Sequence, residues 1–263
     1  MSTLARIANL VRSYRQRLAF QRRVRNWKEV WHSAADRSGG VTLQLRNGLS
    51  IRSSSDDDVV AIFNEIFVEQ CYTPGWFYRP EPGHVVLDVG ANIGVFSLYL
   101  HSVAPDVRVF AFEPLAETYE RLKVNIAENE LGQTIAARQL AVGRGRGQVR
   151  FSGQSGLHSG HEAATSSGTG EAVDCIDLSE VVELAGGGRV DLLKVDTEGA
   201  EVEIIAFAPL AVWPCIAKVV VEYHDLSKKD EVIRALERNG YRCRVRPAPG
   251  YEHHLGLIYA WRP

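Results

Sequence analysis

Apolar residues recur near the start of the chain at Leu4, Ile7, Val11, Tyr14 and Leu18, three or four apart, and continue at Val24, Trp27 and Trp31. That period predicts a helix with one apolar stripe, capped by Ser2 or Thr3. The pattern then changes to alternation over 41–53 (VTLQLRNGLSIRS), centred on Asn47-Gly48, which predicts a β-hairpin. Asp56, Asp57 and Asp58 precede Val59, Ile62, Phe63, Ile66 and Phe67. Acids in a first turn followed by that spacing predict a second helix, broken by CYTPGW (71–76).

From residue 85 the rhythm is different. VVLDVG (85–90), VRVFAFEP (107–114), 135–142, 148–152, DLLKVD (191–196) and AKVVVEY (217–223) read as strands. Segments 94–103, 115–129 and 229–239 read as helices, the last stopped by Gly240, and 241–245 and 256–261 as closing strands. Continuous apolar strands separated by helices predict a mainly parallel sheet covered on both faces, a doubly wound α/β fold. Segment 153–170 holds 5 Gly, 4 Ser and 2 Thr and cannot form a core element. A loop that long is either disordered or a lid. The chain therefore reads as a helical arm over 1–40 and an α/β domain over 41–263.

The 263 residues, 45% hydrophobic and 24% charged, exclude a wholly disordered or collagen-like chain and suffice for a full core. The net charge of −2 hides an asymmetry. The first 28 residues hold eight Arg and Lys and no acid, while the rest carry 22 Arg and Lys against 32 Asp and Glu. The apolar stripe of the arm suits packing on its own domain or on a second subunit, so a homodimer is one expectation. Its arginine face suits an acidic or anionic partner, such as a membrane surface or an acyl-phosphate substrate. Nucleic acid is not expected, because the body is acidic and no aromatic-basic pattern follows. Cys71, Cys175, Cys215 and Cys243 are far apart and form no CxxC, as in reduced thiols of a cytoplasmic protein. No apolar run approaches the length of a membrane span, and the basic start lacks the apolar core of a secretory signal.

The chemistry concentrates in Asp88-Val-Gly90-Ala-Asn92-Ile-Gly94, which follows an apolar strand and opens a helix. Its glycines permit a tight turn and close approach of a ligand to the backbone. Glu113 stands 25 residues after Asp88 at the end of the next strand, where a carboxylate can accept both ribose hydroxyls of an adenosine. A dinucleotide site uses G-x-G-x-x-G. Here Asn92 takes the place of the middle glycine and the third is absent, which fits a ligand without a pyrophosphate, such as S-adenosylmethionine.

VVLDVGANIGVFSLYL, AFEPLAETYERLKVNIAEN and DLLKVDTEGAEVEIIAF resemble the FkbM family of class I S-adenosylmethionine-dependent methyltransferases. The likeness covers roughly residues 41–261 and is most specific over Lys194-Val-Asp196-Thr-Glu198-Gly199-Ala200-Glu201. It implies a Rossmann-like sheet of seven strands, mostly parallel with the last antiparallel. It also implies methyl transfer, usually to a hydroxyl oxygen, on sugars, polyketides or related secondary metabolites or glycolipids. Carried over by position, Gly90, Ala91, Asn92 and Gly94 line the methionine end of the cofactor. Asp88 lies under the loop near the cofactor's ammonium, Glu113 holds the ribose, and the backbone around Ala141 flanks the adenine. Tyr72 belongs to a segment folded over the cofactor.

Asp196 ends one strand, and Glu222 and His224 end the next, at the sheet edge where α/β proteins bind ligands. They are the expected catalytic residues. His224 is the natural base by its ordinary pKa, with Asp196 or Glu222 acting alone or orienting it. Some natural-product O-methyltransferases place carboxylates at these strand ends to hold Mg²⁺. That likeness is positional only, and DTEGAE is not their usual ligand pattern, so a metal-free mechanism is preferred and Mg²⁺ is the alternative. Glu198 and Glu201 equally suit the first turn of a following helix, and His158 and His161 read as solvated loop residues. Tyr119-x-x-x-Lys123 matches the pair of short-chain dehydrogenases but lies six residues after Glu113, and reads as helix surface. The competing functions are a non-catalytic binding protein with a degenerate methyltransferase fold and a nicotinamide oxidoreductase.

Overall fold

Leu43 pairs with Ile51 across the predicted hairpin, both fully buried, between β1 (Thr42–Gln44) and β2 (Ser50–Arg52). The computed structural model describes residues 3–36, 40–55, 57–151, 163–164, 171–248 and 255–262. Gly48 closes the turn at φ +98°, donating to the Leu45 carbonyl, a conformation open to glycine and strained for other residues. Two helices precede the hairpin, α1 (Thr3–Arg23) and α2 (Trp27–Asp36). The expected continuous stripe is interrupted between them, because Val24 bridges Leu45 of the hairpin. There the Asn26 amide donates to the Thr42 carbonyl (2.8 Å) and accepts from the Gln44 N–H (2.9 Å). Phe20 and Val24 anchor this unit at 0% exposure, whereas Tyr14, expected on the buried stripe, is 63% exposed. Phe20 stacks on Trp31 and meets the edge of Phe63.

The third helix, α3 (Val59–Phe63), is capped by Asp58, which accepts from the Ala61 N–H, and continues as a π-turn over Asn64–Val68. Asp57 instead caps the Ser54 N–H and hydroxyl. Ser2 and Asp56 lie outside the described residues. The chain folds as two units, 1–71 and 72–263. The hairpin that the sequence assigns to the α/β domain thus belongs with the arm, through the Val24–Leu45 bridge.

In the second unit β3 (Val85–Val89) leads to α4 (Val95–Val103), β4 (Arg108–Phe112), α5 (Ala116–Glu128) and β5 (Ile135–Arg138). The expected strand 135–142 then splits. Its end becomes β6 (Ala141–Val142), which joins β7 (Gly147–Phe151), β8 (Ala163–Ala164) and β9 (Glu171–Ile176) in a small sheet of order β6-β9-β7-β8. Apart from β8, segment 153–170, with His158 and His161, lies outside the described residues. The chain returns through α6 (Leu178–Leu184), β10 (Leu192–Val195), α7 (Glu201–Ala206), β11 (Lys218–Tyr223) and α8 (Leu226–Arg238). It closes with β12 (Arg242–Pro247) and β13 (Gly256–Trp261). Neither β9 nor α6 was read from the pattern. Yet α6 opens on a full capping box in which Asp177 and Glu180 satisfy each other's backbone N–H. Asp225 caps α8 through the Ser227 N–H, so that helix starts at Leu226 and not near 229.

The main sheet has order β12-β13-β11-β10-β3-β4-β5. Its five central strands are parallel, and β13 runs antiparallel to both neighbours, as expected. Val86, Leu87, Leu192, Leu193, Val219, Val220 and Val221 are all fully buried, which is why these strands read as unbroken apolar runs. Among the described residues no helix is long and apolar enough to cross a membrane.

Candidate active site

Register brings the site residues to one edge. Val89 lies opposite Val195 on β10 and Phe112 on β4, and Val195 lies opposite Val221 on β11. The next residue of each strand is therefore Gly90, Asp196, Glu113 and Glu222, side by side at the carboxyl edge. Ligands of open α/β sheets bind there.

The loop after β3 is built from backbone. The N–H groups of Gly90 and Ala91 both donate to the Phe112 carbonyl (3.0 Å each). Gly90 has φ +75°, and a Cβ there would run into the Asp196 carbonyl oxygen. At Gly94, φ +89°, a Cβ would press on Leu122 of α5. Close backbone packing thus requires Gly90, and the positive φ favours glycine at 94, whatever ligand approaches the loop. Asn92 sits at φ +49°, and its side-chain oxygen accepts from the Ile93 N–H. Buried Asn125 of α5 donates to the Ile93 carbonyl (2.8 Å) and pins the loop from behind.

Glu113 accepts from the N–H groups of Asn92 and Leu115, both at 3.0 Å, and is 6% exposed. Burial raises its pKa to about 7, against the pull of those two N–H groups and Lys194. Asp88 is fully buried beneath the loop, accepting from the Ser97 hydroxyl (2.7 Å) and facing the Lys194 ammonium (3.2 Å). It supports the loop from inside and presents no surface to a ligand. Ala141 lies in β6, packed with Val173 and Cys175 in the small sheet. Tyr119 and Lys123 are on the outer part of α5, as expected, with Lys123 paired to Glu120.

Lys194, which sequence reasoning treated only as a family marker, is central. It is 3% exposed and lies opposite Asp88 in register. Its ammonium donates to the Gly90 carbonyl (2.6 Å) and lies 3.2 Å from Asp88, 3.5 Å from Asp196 and 5.3 Å from the Tyr72 ring centre. Burial alone would pull its pKa down, but Asp88 and then Asp196 outweigh it and hold the amine well above the ordinary lysine value. One cation thus joins the loop to the strand-end carboxylate.

Tyr72 is 6% exposed, and its hydroxyl sits between Asp196 Oδ2 (2.9 Å) and Glu222 Oε2 (2.6 Å). Asp196, Glu222 and His224 offer ligand atoms within 4.8 Å of one another. His224 Nδ1 meets Glu201 Oε1 at 3.0 Å, and its Nε2 lies 3.7 Å from Asp196. Glu201 also accepts from the Gly199 N–H and is buried, so it is more than a first-turn acid. Glu198, at φ +53°, has its pKa raised to about 7 by burial and then by Asp196, with His224 opposing.

Burial would lower the His224 pKa, but the Glu201 hydrogen bond and the charges of Asp196 and Glu222 raise it to about 9. Near neutrality His224 is therefore a cation and not the free base its ordinary value of 6.5 suggests. Between about 6.5 and 9 the folded chain keeps a proton that the unfolded chain has released. Stability from this group is complete below 6.5 and fades as pH rises through 9, by at most about 3 kcal/mol. His224→Gln is expected to flatten that part of the stability curve, measured by urea unfolding near pH 6 and pH 9. An unchanged slope would count against it.

A family profile described as the methyltransferase FkbM domain matches residues 88–243, which contain the loop, Glu113, Lys194, Asp196 and His224. The chain belongs to the FkbM methyltransferase family. It is 29% identical over 230 residues to the 31-O-demethyl-FK506 methyltransferase FkbM of Streptomyces tacrolimicus, covering 76% of this chain and 88% of that one. It is 31% identical over 228 residues to methyltransferase 1 of Beauveria bassiana, covering 77% and 90%. The solved structure of methyltransferase FkbM from Methylobacillus flagellatus matches with a TM-score of 0.54 at 16% identity, over 72% of this chain and 47% of that longer one. Membership makes the chain a methyltransferase and implies S-adenosylmethionine as its cofactor. The edge fits such a group. Asp196, Glu201 and Glu222 outnumber Lys194 and His224, so it favours a cationic ligand, and Glu113 has lone pairs beyond those its two N–H partners use.

Proposed function

We propose that the chain is an O-methyltransferase that methylates a hydroxyl of a sugar, polyketide or related secondary metabolite or glycolipid. The observation that carries this reading is the Tyr72–Asp196–Glu222 group beside the loop, a pair of carboxylates able to take a hydroxyl proton. The O-methylating name of the Streptomyces relative supports it. S-adenosylmethionine, when bound, supplies a methyl group on a cationic sulfonium. Glu113 is the residue to hold the ribose, and Gly90, Ala91, Asn92 and Gly94 the backbone to line the methionine end. The acceptor hydroxyl is held by Asp196 and Glu222, aligned by Tyr72. Bound there, the cofactor would supply its methyl group to that oxygen, and Asp196 and Glu222 would take the hydroxyl proton. His224, a cation braced by Glu201, orients Asp196.

A second reading places Mg²⁺ on Asp196, Glu222 and His224, supported by the closeness of their ligand atoms. It requires His224 to give up the proton that Glu201 and Asp196 stabilise, and the divalent charge must tolerate Lys194 3.5 Å from Asp196. The metal-free reading is therefore preferred. Turnover with a panel of hydroxylated sugars and polyketides, with EDTA and with added Mg²⁺, tests both. Full activity in EDTA with an O-methyl product supports the first. Activity restored only by Mg²⁺ supports the second, and methylation solely at nitrogen or carbon defeats both.

Glu113 gives a separate check on the cofactor side. Glu113→Ala is expected to weaken S-adenosylhomocysteine binding by about 1.5–3 kcal/mol for each charged hydrogen bond lost. Calorimetry reads this directly, and unchanged affinity would remove the ribose assignment.

A further inference from the structure

The opposite edge of the same strands carries a second cluster. His84, Asp191 and Ala217 lie just before β3, β10 and β11, and with Lys218 they floor a cleft of about 300 Å³ walled by Trp76, Phe77 and Tyr78. That volume is at the small end of ligand sites. These strands, of five, four and six residues, separate it from the methyl-transfer edge by roughly 15–20 Å.

The charges in this cleft are unbalanced. Asp191 is already engaged by Arg189 Nε (2.7 Å) and the Val85 N–H (3.0 Å). Glu81 lies 3.8 Å from His84. Lys218 has no such partner among the described residues. Its ammonium donates to the Phe77 carbonyl and lies 5.6 and 5.8 Å from the ring centres of Phe77 and Tyr78. Burial lowers its pKa, and no carboxylate offsets the effect. The Arg79 guanidinium folds over Gly75 in the same cleft. An ammonium set among aromatic rings attracts an anion more strongly than one in open water.

We propose that this cleft is a second binding site, for a small oxyanion carrying a phosphate or carboxylate group, held by Lys218 and Arg79. The site is distinct from the methyl-transfer edge and does not depend on the reading given for it. The simpler role for Lys218 is to pin the segment around Phe77 to the strand through its carbonyl. That role predicts a loss of stability with no effect on anion binding.

The test titrates inorganic phosphate into the full chain at constant ionic strength, followed by tryptophan fluorescence, with acetate as a second probe. Saturable phosphate binding is expected, weakened about five-fold or more in both Lys218→Met and Arg79→Gln while S-adenosylhomocysteine affinity stays the same. Acetate competing at the same residues extends the site to carboxylates, and its failure confines it to phosphate groups. Lack of saturation up to about 50 mM phosphate, or equal binding by the variants, overturns the proposal. Arg79 is exposed, so Arg79→Gln decides alone if Lys218→Met does not fold.

Discussion

Lys194→Met is expected to destabilise the protein by about 3–5 kcal/mol, the range seen when one partner of a buried ion pair is removed. The ammonium is 3% exposed and faces Asp88, which is fully buried, so its loss strands a carboxylate with the Ser97 hydroxyl as its remaining hydrogen-bond donor. Methionine fills a similar volume, so the cost is electrostatic and not a cavity. Urea unfolding near pH 7.5 checks this. The variant should also bind S-adenosylhomocysteine more weakly, because the Gly90 carbonyl loses its 2.6 Å donor. A midpoint equal to that of the parent at pH 7.5 would show that Lys194 does not carry this charge balance.

Asp196→Asn should lower kcat by about 10²–10⁴, the usual worth of a positioned proton acceptor. The amide keeps the shape of the side chain and leaves the backbone carbonyl against Gly90 in place. Cofactor affinity should therefore stay within a few-fold, which separates a chemical defect from a collapsed loop. The remaining carboxylate, Glu222, sits 2.6 Å from the Tyr72 hydroxyl and sustains the residual rate. A kcat within a factor of ten of the parent would move the proton-accepting role elsewhere.

The sheet was readable because its central strands are buried on both faces and therefore apolar from end to end. The same readability located Gly90, Glu113 and Asp196, each the first residue beyond such a strand, and Glu222, near the end of β11. The role of Lys194 was not readable in this way. A lysine inside LLKV and an aspartate inside VVLDV are each a lone charge in an apolar run, and only the strand register makes them partners. The sequence signal was there, in two opposite mid-strand charges, but pairing them needs the strand order. His224 was found by position, yet its protonation depends on Glu201 at the start of α7, a long-range contact that periodicity does not encode. In the arm the stripe included Tyr14, which is exposed, and did not include Phe20, which packs on Trp31 and Phe63, because spacing alone does not say which face the neighbouring helices will cover. Of the small sheet, β7 was legible as the short strand 148–152 and β6 lay within the strand read over 135–142, whereas β9 was missed although it has six residues.

The contact between Gly90 and the Asp196 carbonyl bears on how this enzyme can be retargeted to new acceptors. Position 90 does not tolerate a side chain, since a Cβ there meets the backbone carbonyl of residue 196, and Lys194 fastens the Gly90 carbonyl to the Asp196 carboxylate. A library aimed at changed substrate preference would waste its diversity there. Tyr72 reaches the same carboxylates from outside the sheet through a single hydroxyl, and its ring meets the edge of Phe96. Variation at 72, the residue proposed to align the acceptor, leaves the Gly90–Asp196 contact untouched, which makes it the rational starting point for selection experiments.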